Sequence, residues 1–429
     1  MATEIRPIER EEVVDYLRVL PFANGLPSWE PAPAAWHGGP EPWPPNKPAS
    51  MRQMEASADE VMGEHFHPQA AFVDGKLVGA TAMISFEITV PGERTVAMGG
   101  VTGTGVIATH RRRGLLRRMM QAMFEEALER GEPLAGLSAS EGSIYGRFGF
   151  SPATMRTRWE LERAQAQLLP GRQPVGALEI VEAGTARREW PTLHAATRRI
   201  RVGELSPQPE QWAGLSDDAD GTAGPLRYLL HRDDAGIVDG IANYRLPWSS
   251  TAEDVGTLIV ENLWANTTDA YRAMWGLLLD FDLTRKVVAV SRPLDEPLRW
   301  MLQNPRAMRI TRQSDNLWLR LLDVHRALEA RTYQTTGTLT FGIKSDPVCP
   351  HNEGTWRLEG GPDGAQCTKV TGDPDLSLDL QALATFYLGG MSAHLLAQAG
   401  RITAASPSTI RLLSRMFRTD PEPHNSFGF

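Results

Sequence analysis

Between Val101 and Gly131 the chain reads VTGTGVIATHRRRGLLRRMMQAMFEEALERG, a pattern that leaves few choices of fold. VTGTGVIA suits a strand. Leu116, Met119, Met123 and Ala127 then recur at helical spacing, with Leu128 the last apolar position and Gly131 a stop. The predicted strand thus enters an amphipathic helix through THRRRG. Backbone N–H groups of Arg113 to Leu116 would have no intrahelical acceptor and would sit at the positive helix end, which favours an anion. Gly114 lets a phosphate approach the backbone, and Arg111, Arg112, Arg113 and Arg117 add charge suited to a pyrophosphate or ribose phosphate. An isolated basic helix start is more often a solvated face. Its neighbours distinguish this one, because PLAGLSAS predicts a strand and SIYGRFGF a short helix ending at Gly149.

That short helix carries Tyr145. A phenol with a reference pKa of about 10 stays protonated near neutrality and can donate to a developing thiolate, whose pKa is about 8.5. A lone tyrosine at such a junction usually only packs its ring, so Tyr145 gains its weight from the basic turn before it.

A length of 429 residues suggests three domains at roughly 150 residues each. Prolines and tryptophans from Gly25 to Pro48 exclude a helix or central strand there. MRQMEASADEVM can be helical, and the following residues read as a mostly antiparallel meander with turns at Asp74-Gly75 and Pro91-Gly92. These elements place a first unit at 1–158. In a second unit, 159–304, GIVDGIANYRL and GTLIVENLWA read as strands and TDAYRAMWGLLLDFDL as a helix, with no glycine turn between strand and helix. A third, 305–429, mixes strands and amphipathic helices before an irregular acidic tail. The expected class is α/β overall, with α+β units.

Composition narrows the function. With 41% apolar and 22% charged residues and no apolar run near the roughly 18 residues of a membrane span, no membrane partner is expected. The N-terminal residues lack the apolar stretch of a secretory signal, giving a cytoplasmic expectation. A net charge of -8 argues against nucleic acid and mildly favours an amine-bearing substrate. Cys349 and Cys367 are the only cysteines, lack metal-ligand spacing and read as small buried hydrophobes. No metal is expected.

The basic turn and the tyrosine element together resemble the GNAT superfamily of acetyl-CoA-dependent N-acyltransferases, whose signatures are Q/R-x-x-G-x-G/A and F-Y-x-x-x-G-F. Arg111, Gly114 and Leu116 occupy the first, Leu116 departing from the usual Gly or Ala, and Tyr145, Gly149 and Phe150 the second. More closely, VIATHRRRGLL, LSASEGSIYGRFGF, DNLWLRLLDVHRAL, FYLGGMSAHLLAQAGRI and MFRTDPEPHNSFGF resemble the enhanced intracellular survival (Eis) family. That resemblance implies two tandem GNAT folds, the second degenerate and without a cofactor loop, then a sterol-carrier-protein-like domain, assembled as a homo-hexamer. It implies acetyl-CoA held by backbone groups of Thr104, Val106 and Ile107, by the turn Arg111, Arg112, Arg113, Gly114, Leu115 and Leu116, and near Ser140. Tyr145 would be the general acid, and the terminal carboxylate of Phe429 would receive the amine proton.

The implied acceptors are primary amines of aminoglycosides, and in some cases lysine side chains or amine-bearing peptides. Trp29, Trp36 and Trp43 could wall a pocket for a sugar or cation, and Glu30, Glu41, Asp59, Glu60 and Glu64 could draw in a polyamine. Pro-rich loops also use tryptophan as an anchor, and single acids are usually surface. His65 or His67 could serve as base. With no cysteine before residue 349, direct attack in a ternary complex is expected. The alternative is a sensor on a GNAT scaffold that binds acetyl-CoA or lipid without turnover.

Overall fold

The computed structural model describes residues 2–24, 58–171, 175–216, 225–247 and 256–429. The chain runs β1 (Thr3–Pro7), β2 (Phe66–Val73), β3 (Lys76–Val90), β4 (Arg94–Val106), β5 (Leu134–Leu137), β6 (Ser151–Pro152) and β7 (Met155–Glu162). It continues through β8 (Ala177–Val181), β9 (Leu226–Arg232), β10 (Val238–Arg245), β11 (Thr257–Ala265), β12 (Lys286–Arg292), β13 (Arg309–Asp315) and β14 (Trp318–Leu321). The last third holds β15 (Gly337–Ile343), β16 (Gly354–Gly361), β17 (Gly364–Val370), β18 (Leu376–Leu378) and β19 (Ile402–Ala404).

These strands form three sheets. The first has the order β1-β2-β3-β4-β5-β14-β6, the second β13-β7-β12-β11-β10-β9-β8, and the third β17-β16-β15-β18-β19. Read from β1 and from β8, the first two are the same sheet built twice. Each is an antiparallel meander of four strands, then one parallel pair, β4 with β5 and β11 with β12. A parallel neighbour needs a crossover, supplied by helices Leu115–Glu129 and Thr268–Leu279. The next strand is exchanged: β14, from beyond the second sheet, pairs with β5, whereas β7, from just after the first, pairs with β12.

Local chemistry sets the turns and helix ends. The β2–β3 hairpin turns through Asp74 at φ 49° and Gly75 at φ 78°, the positive-φ pair that a tight two-residue hairpin requires. Leu115, Met119, Met120, Met123, Phe124 and Ala127 form the buried stripe of the first crossover helix, and Gly131 at φ 83° follows its end. Of the stretch MRQMEASADEVM, residues 51–57 lie outside the described residues, and Ala58–Val61 is helical.

A continuous apolar core joins the first sheet to the third, from Phe86, Ile88 and Met98 through Leu319 and Leu321 to Phe341, Phe386 and Phe417. The second sheet packs its own core around Trp159 and Trp275, whose ring centroids are 5.1 Å apart. Two buried arginines stiffen the joint. Arg331 lies among the rings of Tyr333, Tyr387 and Phe417 and donates to the carbonyls of Thr332, Tyr387 and Phe417. Arg320 of β14 donates to both oxygens of Asp346 at 2.8 Å, with each side chain 1% exposed. Asp346 also accepts from Cys349 N and Asn352 Nδ2.

Removing one partner of a buried ion pair leaves the other uncompensated, at a cost of about 3–5 kcal/mol. Arg320→Ala is therefore expected to lower the thermal midpoint clearly. Arg326→Ala, which removes an exposed partner of Asp323, should move it little in the same calorimetric scan.

Candidate active site

The parallel pairing of β4 and β5 runs only from Met98↔Leu134 to Gly100↔Gly136, after which β4 continues to Val106 paired with β3 but not with β5. The divergence opens a fork. A cleft of about 800 Å³ extends from it, with Thr104 and Val106 on the β4 side and Ser140 and Tyr145 on the other. Arg111, Arg112, Gly114, Leu115 and Leu116 line its far end. Pro347 and Val348 of the last third complete the wall.

The basic turn is built for an anion. Arg112 at φ 62° and Gly114 at φ 77° both adopt left-handed backbone, curling the chain into the helix that begins at Leu115. Gly114 has no side chain with which to cap that helix, and the first backbone bond into it is Arg118 N to Gly114 O at 3.1 Å. N–H groups of Leu115, Leu116 and Arg117 precede that bond at the positive helix end. A Cβ on Gly114 would meet nothing within 4 Å, so the space over the turn is open. Arg113 points elsewhere, donating to Thr109 O at 3.2 Å. Ile107 is held by the sheet, its N–H donating to Val78 O and its carbonyl accepting from His110 N.

Tyr145 is half-buried, its ring edge-on to Phe150 at 6.3 Å. Burial raises its pKa above the ordinary 10, opposed by a hydrogen bond with Thr104. Thr104 Oγ1 lies 2.7 Å from Thr81 Oγ1, continuing a polar line into the sheet. Behind Tyr145, Arg320 donates to Phe148 O and Gln381 to Gly146 O, so the last third seats the tyrosine segment. Arg320, Asp346 and Gln381 lie outside both sequence motifs. An arginine inside the apolar run LWLRLL was the available signal, since such a residue is rarely buried without a partner.

Phe429 reaches the first sheet from the far end of the chain. Its ring packs on Phe86 at 4.9 Å, and a Cβ on Gly100 would lie 2.7 Å from it. Gly100 ends the parallel pairing, so Phe429 stands where the fork opens. Glu64 and His65 are exposed and do not line the cleft. His67 is half-buried beside Ser85, whose hydroxyl donates to Glu132 at 2.5 Å. Burial, then Arg130, lowers the His67 pKa. Trp29, Glu30, Trp36, Glu41 and Trp43 lie outside the described residues.

Residues 46–153 and 203–321 each match a family described as an acetyltransferase (GNAT) domain, and residues 324–426 a sterol carrier protein domain. An uncharacterized N-acetyltransferase of Streptomyces avermitilis is 33% identical over 98% of this chain and 97% of its own. The N-acetyltransferase Eis of Mycobacterium tuberculosis is 32% identical over 82% of this chain and 86% of its own. The crystal structure of Eis1 from Mycobacterium abscessus covers 99% of this chain and 100% of that one, with a TM-score of 0.83 at 30% identity. The chain belongs to the Eis-like family of GNAT N-acetyltransferases. It is an acetyltransferase, and enzymes of this kind use acetyl-CoA as co-substrate. A GCN5-related N-acetyltransferase from Anabaena variabilis shares the fold, with a TM-score of 0.81 at 19% identity. Among the described residues no helix is long and apolar enough to cross a membrane, and no group of three or more His, Cys, Asp or Glu could hold a metal ion.

The second GNAT fold of this Eis-like enzyme has the same fork and a different filling. β11 and β12 pair from Thr257↔Lys286 to Val260↔Ala289 and then separate. Across the gap the buried Arg292 donates to Leu263 O at 2.9 Å. The following helix is capped by Thr267, which accepts from Ala270 N, with Asp269 in its first turn. A capped helix start with an acid in its first turn and no glycine turn suits an anion less well than the open turn at Gly114.

At the first fork, Gly114→Glu places a carboxylate over the open turn at a positive-φ position. It is expected to remove acetyl-CoA binding in a calorimetric titration of a folded protein, and unchanged affinity would mean that the phosphates lie elsewhere.

Proposed function

We propose that this enzyme acetylates primary amines of small polyamine-type acceptors such as aminoglycosides, by direct attack in a ternary complex. The observation that carries the reading is the cleft that gathers an open helix start, the length of β4 that β5 leaves uncovered and Tyr145. In this reading the N–H groups at Gly114, Leu115 and Leu116, with Arg111 and Arg112, hold the cofactor's phosphates, while Arg113 ties the turn back to Thr109 O. Backbone groups of Thr104 and Val106 align its amide arm, Ile107 braces the end of that strand, and Ser140 borders the arm from the opposite side. Acetyl-CoA supplies the acetyl group as a thioester.

Amine attack forms a C–N bond and breaks the C–S bond, so a proton must reach the sulfur and another must leave the nitrogen. Tyr145, protonated at neutral pH as a phenol with a reference pKa of about 10 is, and pushed further that way by burial, donates to the sulfur. The α-carboxylate that Phe429 carries as the last residue of this sequence holds the ammonium and accepts its proton, directly or through water. A reference pKa of about 3.5 makes it a weak base, so orientation of the amine is the larger part of its task. A cysteine-bound acyl intermediate is disfavoured. Burial raises the Cys349 thiol, and raises Cys367 to about 12. Trp29, Trp36, Glu64 and His65 are assigned to the acceptor side. We assign the site to residues 1–158, the second fold to 159–304 and the sterol-carrier-like domain to 305–429. A cytoplasmic homo-hexamer completes the reading on family grounds.

Tyr145→Phe should keep acetyl-CoA affinity and lower turnover about a hundredfold, the low end for a positioned general acid. Thiol release with an aminoglycoside, a polyamine and a lysine peptide measures it, and wild-type rates would remove Tyr145 from the mechanism. Appending several residues after Phe429 preserves every side chain but moves the carboxylate. The expected result in the same assay is loss of turnover with intact cofactor binding.

A further inference from the structure

The C-terminal segment does not cross open surface to reach Gly100. From Glu422 to Phe427 it runs along the fork of the second GNAT fold. Arg201 Nη1 donates to Glu422 O at 2.9 Å, and His424 N donates to Val202 O at 2.9 Å. Ser426 N donates to Glu204 Oε2 at 3.1 Å and the Ser426 hydroxyl to Glu204 Oε1 at 2.5 Å. Trp264, on the diverging end of β11, donates from Nε1 to Ser426 Oγ at 2.9 Å. Phe427 is 4% exposed, stacked on Trp264 at 5.7 Å and 15°, with His194 and Trp212 edge-on at 4.8 Å and 5.0 Å.

Glu204 connects this seat to the first fold. The segment from Val202 to Ser206 lies along β3, with Gly203 N donating to Thr89 O, Thr89 N to Glu204 O and Ser206 N to Glu87 O. Leu205 pairs with Ile88 as an isolated bridge. One short stretch therefore bonds the tail through the Val202 carbonyl and the Glu204 side chain, and β3 through its backbone. Phe429 is two residues beyond Phe427, a reach of at most about 7 Å. Fixing Phe427 thus fixes where Phe429 meets Gly100.

We infer that the fork of the second GNAT fold is the receptor for the tail, and that Glu204, Trp264 and Phe427 are positioning residues for acetyl transfer. This rests on the reading that Phe429 works at the first fork. The second fold then has a task in the reaction although it presents no anion site: it sets the height and direction of a group used in the other fold. None of the three residues lines the acetyl-CoA cleft, so their effect separates from cofactor binding.

The test uses the full chain with Phe427→Ala, and with the milder Trp264→Phe, which keeps a ring but loses the bond to Ser426. Acetyl-CoA affinity is measured by calorimetry, thiol release with the fastest amine of the panel above, and hydrogen exchange of the peptide covering 422–429. Phe427→Ala should leave acetyl-CoA affinity within about twofold, lower kcat about 10- to 100-fold and deprotect the tail, as a misplacement near 1 Å can cost a factor of about a hundred. Trp264→Phe should fall between it and wild type. Wild-type kcat in both variants, or loss of acetyl-CoA affinity in parallel with kcat, overturns the inference. If extending the chain after Phe429 is harmless while Phe427→Ala still lowers kcat, the carboxylate's role fails and the seat stands. The converse result sinks the seat alone.

Discussion

Two parallel strands that part before their ends leave backbone donors and acceptors facing one another across a gap, and buried groups of that kind must find partners. This protein contains that situation twice and resolves it in two ways. At Gly100 the gap opens into the large cleft lined by the basic glycine turn. At Val260 the gap is crossed by Arg292 and bordered by Ser426 and His424. The helix that follows each fork matches the choice: one begins at a bare glycine beside arginines, the other at a threonine cap with an aspartate. The repeated fold presents two gaps, and local side chains leave one open and fill the other.

The sterol-carrier-like third of the chain is part of the same arrangement. It shares a core with the first sheet, and its residues reach the site from behind. Its Asp346 pairs with Arg320 of β14, which holds the carbonyl of Phe148, and its Gln381 holds that of Gly146, so the short helix bearing Tyr145 is fixed by groups far away in sequence. Rigid support of that kind suits the proton-donor role proposed for Tyr145.

Much of the first fold was legible because its signals are local. The Asp74-Gly75 turn, the apolar stripe of the crossover helix and the glycine at its entry each depend on a few adjacent residues. The stripe is broader than its four spaced residues suggested, since Leu115, Met120 and Phe124 are buried as well. What stayed hidden depends on contacts distant along the chain. An apolar run such as Leu317 to Leu322 reads as buried but does not say which sheet it will join, and it joins the first. Ser426 and Phe427 look like ordinary tail residues until Glu204 and Trp264 are beside them. Exposure of Glu64 and His65 was equally unreadable, because nothing in GEHFHP marks which side chains turn outward.

The exchange of β14 and β7 between the two like sheets bears on the order in which the enzyme comes into being. As the chain leaves the ribosome, β5 has no antiparallel neighbour until residue 321 has emerged, and the meander waits with an open edge of the kind that invites wrong partners. The second sheet, whose β7 is already made, can close first. The fold that carries the basic glycine turn is therefore first to be translated and among the last to be completed. A gene fragment ending after β6 would encode every residue of the basic turn and Tyr145, yet lack the strand between β5 and β6 that joins them into one sheet. The dependence runs one way: the second sheet is built from the consecutive strands β7 to β13, whereas the first cannot be completed without a strand that follows them.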